Sequence, residues 1–372
     1  MGNELSDRML RQGAGEARQK PLHSTQACEA ADNVADSVSC RHSPPIFIIG
    51  TERSGSNLLR LILDAHPHIC VPHPPHILKY FAPRLSAYGD LCQPENLRSL
   101  VADVRGLITN HIHPWEAVPS IEEIMAAVGH PSLIGVFFGV YRAHCRTTGK
   151  PRWGCKSTFV IDHLPEVLAV CPTARFLFLV RDPRDVAVSS RKSIFSPCHP
   201  WLTARLWRRQ QETGWRWLKA CPENVMLVRY EDLLAEPEPT VRRICEFLEE
   251  KFDPGMLEFH QGEAARRSSE LSGCWRNTGR PIQTGNTGRY RRELSSAEIS
   301  LIEATCGELM ARFGYQPERS ASPNCPPARR HRFWFRLLDL AWRLKVEARA
   351  ARRDRNYLLH WRRRLYLLRL RL

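Results

Sequence analysis

The sequence predicts an α/β domain of three layers, in which a mainly parallel sheet of four or five strands is flanked by helices. Short apolar stretches recur along the 372 residues, and each is followed by a polar turn and then by apolar residues at helical spacing. The first such unit also has a Gly-x4-Gly spacing, Gly50 to Gly55, between its strand and its helix. We expect the functional site at the carboxyl ends of the parallel strands.

The first unit has the form of a phosphate-binding loop. Residues 46–49 predict a buried strand, residues 50–56 a tight polar turn, and the apolar residues that follow a helix that stops near His66. Successive amides in such a turn, together with the positive end of the helix, bind anions without a special side chain. The candidate binding residues are Arg53, Ser54, Gly55, Ser56 and Asn57.

This loop differs from that of an ATPase or a kinase at one position. Ser56 stands where those enzymes place a lysine, and Asn57 follows it. Arg53 supplies a positive charge from another place in the loop. The spacing therefore predicts a P-loop-like fold. Two alternatives remain for this loop. It could belong to a nucleotide-dependent kinase or NTPase, or it could be a turn that binds nothing.

Three later segments make the pattern more specific. Residues 174–180 predict a strand that runs into Arg181-Asp-Pro-Arg-Asp, and Ser189 is predicted to begin the next helix. Residues 225–228 predict another strand, which ends close to Tyr230. A Gly-Asn-Thr-Gly-Arg sequence that ends at Arg289 lies within residues 262–292, which predict a long polar loop.

From residue 46 to residue 315 the chain resembles the sulfotransferases that use 3'-phosphoadenosine 5'-phosphosulfate (PAPS). The likeness is to bacterial members and, in part, to tyrosylprotein and carbohydrate sulfotransferases. It implies that the first loop holds the 5'-phosphosulfate, that no metal takes part, and that the acceptor is a hydroxyl of a glycan, a glycolipid, a small molecule or a tyrosine. It also implies that further donor contacts, to the 3'-phosphate or the adenine, come from Arg181, Ser189, Tyr230, Gly288 and Arg289.

Sulfuryl transfer needs in-line alignment, removal of a proton, and stabilisation of the charge that arrives on the bridging oxygen. Arg53 is the candidate for the last task, because a guanidinium binds oxyanions with two donors and stays charged. Lys156 lies in a segment that resembles the family's lysine segment and is predicted to stabilise the transferring group. A solvated lysine at the end of a strand is the alternative.

Two histidines are the candidates for the general base, since histidine titrates near neutral pH. His76 is the first choice and His73 the second. Family members use a His or a Glu from this region, and no Glu occurs between Glu52 and Glu95. A gap-free comparison with tyrosylprotein sulfotransferases puts Pro74 where they have a catalytic Glu, so the assignment stays open.

A histidine-rich metal site is an alternative for the same stretch. His66, His68, His73 and His76 lie within eleven residues, but prolines interrupt them and no cysteine or carboxylate pair is near. The 13 cysteines are scattered without a Cys-x-x-Cys pair, which predicts reduced thiols.

Composition divides the chain into three parts. Residues 1–43 are polar and without a period, which predicts a disordered leader. Residues 44–318 are the predicted sulfotransferase domain, with a helical insertion at residues 77–150 that is predicted to lie between the first two strands and to set acceptor choice. Residues 319–372 form a basic tail. The absence of a long apolar run and of a signal sequence predicts a cytoplasmic protein.

The tail carries most of the positive charge. From residue 326 onward it has 15 Lys and Arg against 3 Asp and Glu, a net +12 of the chain's +15. The first 325 residues carry the remaining +3, and so small a net charge argues against nucleic-acid binding by the whole protein. Apolar residues at helical spacing predict an amphipathic helix bound through residues 329–372 to anionic lipid on the inner face of a membrane. The alternatives are that this stripe packs on the domain or on a second subunit, or that the basic helix binds a nucleic-acid backbone. The stripe comprises Phe333, Trp334, Leu337, Leu338, Ala341, Leu344 and Ala348.

Overall fold

A computed structural model describes residues 44–318 and 328–370. The predicted leader, residues 1–43, lies outside the described residues. One sheet contains five parallel strands in the order β2-β3-β1-β4-β5, which confirms the predicted fold class. The strands are Ile46–Gly50 (β1), Ile69–Cys70 (β2), Arg152–Lys156 (β3), Arg175–Val180 (β4) and Val225–Arg229 (β5).

The central strands are buried on both faces. Along β1, Phe47 and Ile49 belong to one hydrophobic cluster, whereas Ile46 and Ile48 belong to another. Successive side chains of a strand point to opposite faces, so each cluster fills the space between the sheet and one layer of helices.

Helices cover both faces of the sheet. Those of the domain are Ser56–Asp64 (α1), Ile77–Phe81 (α2), Pro94–Thr109 (α3), Ile121–Met125 (α4), Leu133–Thr148 (α5), Leu164–Val170 (α6), Pro183–Ser190 (α7), Pro200–Ala220 (α8), Tyr230–Ala235 (α9), Pro237–Leu248 (α10), Glu263–Leu271 (α11), Tyr290–Glu293 (α12) and Ser296–Arg312 (α13). Short 3-10 helices occupy Ala82–Tyr88, Val160–His163, Pro254–Met256, Phe259–Gln261 and Gly273–Gly279.

Three sequence predictions about these elements were wrong. The insertion at residues 77–150 is helical but lies between β2 and β3, because the two-residue β2 is too short to show a pattern. Residues 262–292 are not one loop, since they contain α11, a 3-10 helix and the start of α12. Ser189 does not begin a helix: α7 starts at Pro183 behind the cap Asp182, so Ser189 lies in its last turn.

The tail forms two helices, Arg329–Arg353 (α14) and Tyr357–Arg369 (α15), that pack on the domain. A carboxylate oxygen of Asp339 accepts the amides of Cys198 (2.7 Å) and His199 (2.8 Å) at the start of α8. The Tyr366 hydroxyl donates to the carbonyl of Asp103 on α3 (2.7 Å). None of the described helices combines the length and apolarity needed to cross a membrane.

Candidate active site

Four parallel strands bring predicted residues to one edge of the sheet. Arg53 follows β1, Lys156 ends β3, Arg181 comes directly after β4 and Tyr230 directly after β5. All four line a cavity of about 360 Å³. The predicted residues that line it are Arg53, Gly55, Ser56, Asn57, His73, His76, Lys156, Arg181, Ser189, Tyr230 and Arg289, whereas Ser54 and Gly288 do not.

The first loop has the geometry of an anion cradle. Gly50 and Gly55 adopt φ angles of 133° and 92°. A Cβ on Gly55 would lie 2.3 Å from the ring of Tyr230, so only glycine fits here. In the described part of the chain, the backbone amides of Gly55, Ser56 and Asn57 at the start of α1 have no hydrogen-bond acceptor. These amides are therefore available to an anion.

Two arginines meet at this loop. The Arg53 Nε donates to the Ser189 Oγ (3.1 Å), and an Arg53 Nη donates to the Cys274 carbonyl (3.3 Å). Arg181 donates to the carbonyl of Arg53 (3.2 Å), and its guanidinium lies 4.3 Å from the ring centre of Tyr230. Although Arg181 is 4% exposed, it forms no ion pair within the described residues, and its Nε has no partner. A buried cation without an ion-pair partner is suited to bind an anionic ligand.

The basic segment at residues 285–292 closes this end of the cavity. The carbonyl of Asn286 accepts from Arg181 (2.8 Å), and its side-chain amide donates to the Tyr230 hydroxyl (2.8 Å). Asp185 holds the segment in place, since its carboxylate accepts the amide of Gly288 (2.7 Å). Gly288 thus lies behind the cavity wall, where its backbone amide anchors the segment to Asp185. Arg289 donates to the Asn286 side chain (3.1 Å).

Lys156 ends β3 and points into the cavity wall. It is partly buried in the cavity wall, close enough to Glu52, Arg53 and Arg60 for their charges to act on it. Burial lowers the pKa of Lys156 to about 8, and the Glu52 carboxylate opposes part of that fall.

His76 faces the cavity from the start of α2. Its backbone is left-handed, with a φ of 62°, and its Nδ1 lies 3.0 Å from the Ser157 hydroxyl. Burial and the nearby Lys156, Lys79 and Arg363 lower the pKa of His76 well below its usual value, so the ring is neutral at physiological pH.

His73 has a different setting. Its ring stacks on that of His113, with centroids 4.7 Å apart, and also contacts Trp275. Its Nδ1 is buried without a partner. Both histidines line the cavity.

The four histidines of the metal alternative do not converge. Among the described residues, the one group of three possible ligands is His66, His68 and Glu250, within 4.8 Å of one another. Both ring nitrogens of His66 already have partners there, the carbonyl of Lys251 (2.9 Å) and the amide of His68 (3.1 Å). This arrangement shows a structural role for His66.

Several residues of the cavity wall were not predicted from the sequence. Glu52 lies inside the first loop, next to Arg53, but no role was predicted for it. Lys79 and Tyr80 lie one helical turn after the predicted base His76, and this spacing is a signal that could have found them. No local pattern pointed to Trp275 or to Arg363 of the tail. These wall residues are Glu52, Lys79, Tyr80, Trp275, Asn286 and Arg363.

Comparisons with known proteins agree with this geometry. A family model described as "Sulfotransferase family" matches residues 44–254, more than half of the chain, and one described as "Sulfotransferase domain" matches residues 198–314. A similar solved structure is the sulfotransferase domain of the Synechococcus PCC 7002 olefin synthase, with a TM-score of 0.52 and 21% identity, covering 74% of this chain and 96% of that domain.

Relatives of known name extend the match. Protein-tyrosine sulfotransferase 1 of Danio rerio is 24% identical over 287 residues, which cover 74% of this chain and 73% of the relative. Protein-tyrosine sulfotransferase A of Caenorhabditis elegans is 27% identical over 290 residues, which cover 74% and 68%. The chain therefore belongs to the sulfotransferase family, enzymes that transfer a sulfuryl group.

Proposed function

We propose that PAPS is the donor and that the acceptor is a hydroxyl compound. The observation that carries this proposal is the buried guanidinium of Arg181, which has no ion pair among the described residues, beside a loop whose amides have no hydrogen-bond acceptor there. A donor with a 3'-phosphate and a 5'-phosphosulfate has two anionic groups for these two sites. The relatives' names make a phenolic hydroxyl the first acceptor to test.

In the proposed reaction the acceptor oxygen attacks sulfur in line, and the bond from sulfur to the 5'-phosphate oxygen breaks. The loop amides and Arg53 stabilise the charge that arrives on that oxygen. Lys156 stabilises the transferring group. His76 accepts the proton of the hydroxyl through its Nε2, since its Nδ1 is engaged with Ser157.

Ligand binding separates this proposal from a kinase or NTPase. We expect adenosine 3',5'-bisphosphate to bind more tightly than ATP, as measured by calorimetry. Arg181→Ala should weaken binding of the bisphosphate by roughly 10- to 100-fold, the value of a charge-assisted hydrogen bond. Tighter binding of ATP, or equal binding by the variant, would contradict the proposed donor. Labelled PAPS with a panel of glycan, lipid, phenol and peptide acceptors then identifies the acceptor class.

The role of Lys156 gives an expected pH profile. The lysine is protonated below its folded-state pKa of about 8 and neutral above it. The kcat/KM for the donor, which reports the free enzyme, should therefore fall above about pH 8. Lys156→Arg keeps its charge, so the fall should move to higher pH. An identical alkaline limb in wild type and Lys156→Arg would show that another group titrates.

We further propose that α14 and α15 bind an anionic membrane surface. All the large apolar side chains that the structure shows as exposed lie on these two helices. Phe333 and Trp334 are each 60% exposed, while Phe335 and Trp342 pack inward on His199. The helices thus carry a second apolar stripe beyond the one that docks them, among arginines that attract anionic lipid.

Vesicle sedimentation tests this surface. The full chain should bind phosphatidylcholine vesicles that contain phosphatidylserine, and Trp334→Glu/Leu337→Glu should lose at least most of that binding. Gln93→Glu/Gln261→Glu, which adds the same charge at exposed sites of the domain, serves as control. Equal binding by both variants would overturn the proposal. The proposal would also be overturned if the wild type did not bind vesicles but self-associated, and if Trp334→Glu/Leu337→Glu lost that self-association.

A further inference from the structure

The second tail helix forms part of the cavity wall. Arg363 of α15 lines the cavity, although it lies 310 residues beyond Arg53 in the sequence. It is 8% exposed, and one Nη donates to the Tyr80 hydroxyl (2.8 Å) and the Pro75 carbonyl (3.5 Å). Since Pro75 and Tyr80 flank His76 in sequence, the guanidinium stands next to the candidate base.

This guanidinium has no counter-ion in the part of the chain that the structure describes. Within residues 44–318 and 328–370, no carboxylate lies within ion-pair distance of Arg363, and its buried Nε has no hydrogen-bond partner. Its neighbours in α15 differ: Arg364 pairs with Glu347 (2.8 Å), and Arg362 donates to Asn110 (2.7 Å). Burying a guanidinium without an anion carries an unfavourable desolvation free energy, and an anionic ligand would offset it.

The surroundings of Arg363 are cationic rather than acidic. Lys79, Lys156 and Arg363 all act on His76, and Arg363 also lowers the pKa of His111. Glu52 is the carboxylate near Lys156. Of these cations, Lys156 also lies near Arg53, whereas Lys79 and Arg363 are separate from Arg53, Arg181 and Ser189, which face the proposed donor. The cavity therefore offers an anion site on the acceptor side.

We propose that Arg363 binds an anionic group of the acceptor and so selects hydroxyl compounds that carry one. The proposal rests on the proposed function, because it assigns the acceptor half of the same cavity. A carboxylate, sulfate or phosphate on the acceptor supplies the missing partner and fixes the hydroxyl beside His76. Arg363 is then a specificity-determining residue that the tail contributes.

Two matched phenols test the assignment. 4-Hydroxyphenylacetate and 4-hydroxyphenylacetamide have nearly the same shape and differ in charge. Their binding to the enzyme saturated with adenosine 3',5'-bisphosphate is measured by calorimetry, and their turnover with PAPS by kcat/KM. The wild type should bind the carboxylate about ten-fold or more tightly than the amide. Arg363→Met should remove that difference, while Arg363→Lys keeps part of it.

Arg364→Met is the matched control, because it removes an arginine of the same helix that has its own partner. It should keep the preference for the carboxylate. A structural role of Arg363 would lower the melting temperature and affect both phenols equally. Equal binding of the two phenols by the wild type, or absence of binding by both, overturns the inference. Failure of the bisphosphate to bind overturns the proposed donor instead, so the two failures are distinguishable.

Discussion

Arg53→Ala is expected to lower kcat by about 10²–10³-fold, the effect of removing one donor to a developing oxyanion. Arg53 stands in the anion loop with a left-handed backbone, φ 69°, and is held by the Ser189 hydroxyl and the Cys274 carbonyl. It is therefore oriented before the substrate binds, which is what stabilisation of a transition state requires. Steady-state kinetics with PAPS measures the effect.

The balance between kcat and KM distinguishes two roles for Arg53. If it acts on the leaving phosphate, kcat falls more than donor affinity, and Arg53→Lys restores only part of the rate because a lysine lacks the two-donor geometry. Arg276→Ala, at an exposed arginine near Cys274, is the control and should change little. A variant with normal kcat and weaker donor binding would assign Arg53 to ground-state binding alone.

The parts of the site that lie at strand ends were predictable from the sequence. Arg181 and Tyr230 come directly after apolar stretches, and parallel strands bring such positions to one edge. The first loop was found for a similar reason, since its glycines lie at a fixed spacing between a strand and a helix. These signals are local, because they need only the pattern of a few neighbouring residues.

Contacts between distant segments were not predictable. Arg184 lies in the same motif as Arg181, but it is paired with Asp182 (2.7 Å) and with the distant Glu303 (2.6 Å) and does not line the cavity, and the contact with Glu303 has no signal in the sequence. Arg363 reaches the wall because two tail helices pack on the domain. Charge counting placed the tail apart from the enzyme, yet charge carries no information about where a helix docks.

His76→Asn is expected to lower kcat by about 10²–10⁴-fold, the usual contribution of a general base, and to leave the affinity for adenosine 3',5'-bisphosphate unchanged. His76→Ala should also remove the chemistry. Asn is the better test, because it tolerates the left-handed backbone at this position and can keep the hydrogen bond to Ser157. The chemical step is measured in a single turnover with saturating PAPS.

His73→Asn is the matched control for this assignment. His73 lines the same cavity, but its ring stacks on His113 and contacts Trp275, whereas His76 is oriented by the Ser157 hydroxyl. A general base needs an oriented ring with one nitrogen free for the hydroxyl, and the hydrogen bond between the His76 Nδ1 and the Ser157 hydroxyl leaves Nε2 for that task. Full single-turnover rate in His76→Asn, together with a loss in His73→Asn, would move the base to His73. Full rates in both variants would point to Glu52, the carboxylate in the wall beside Lys156.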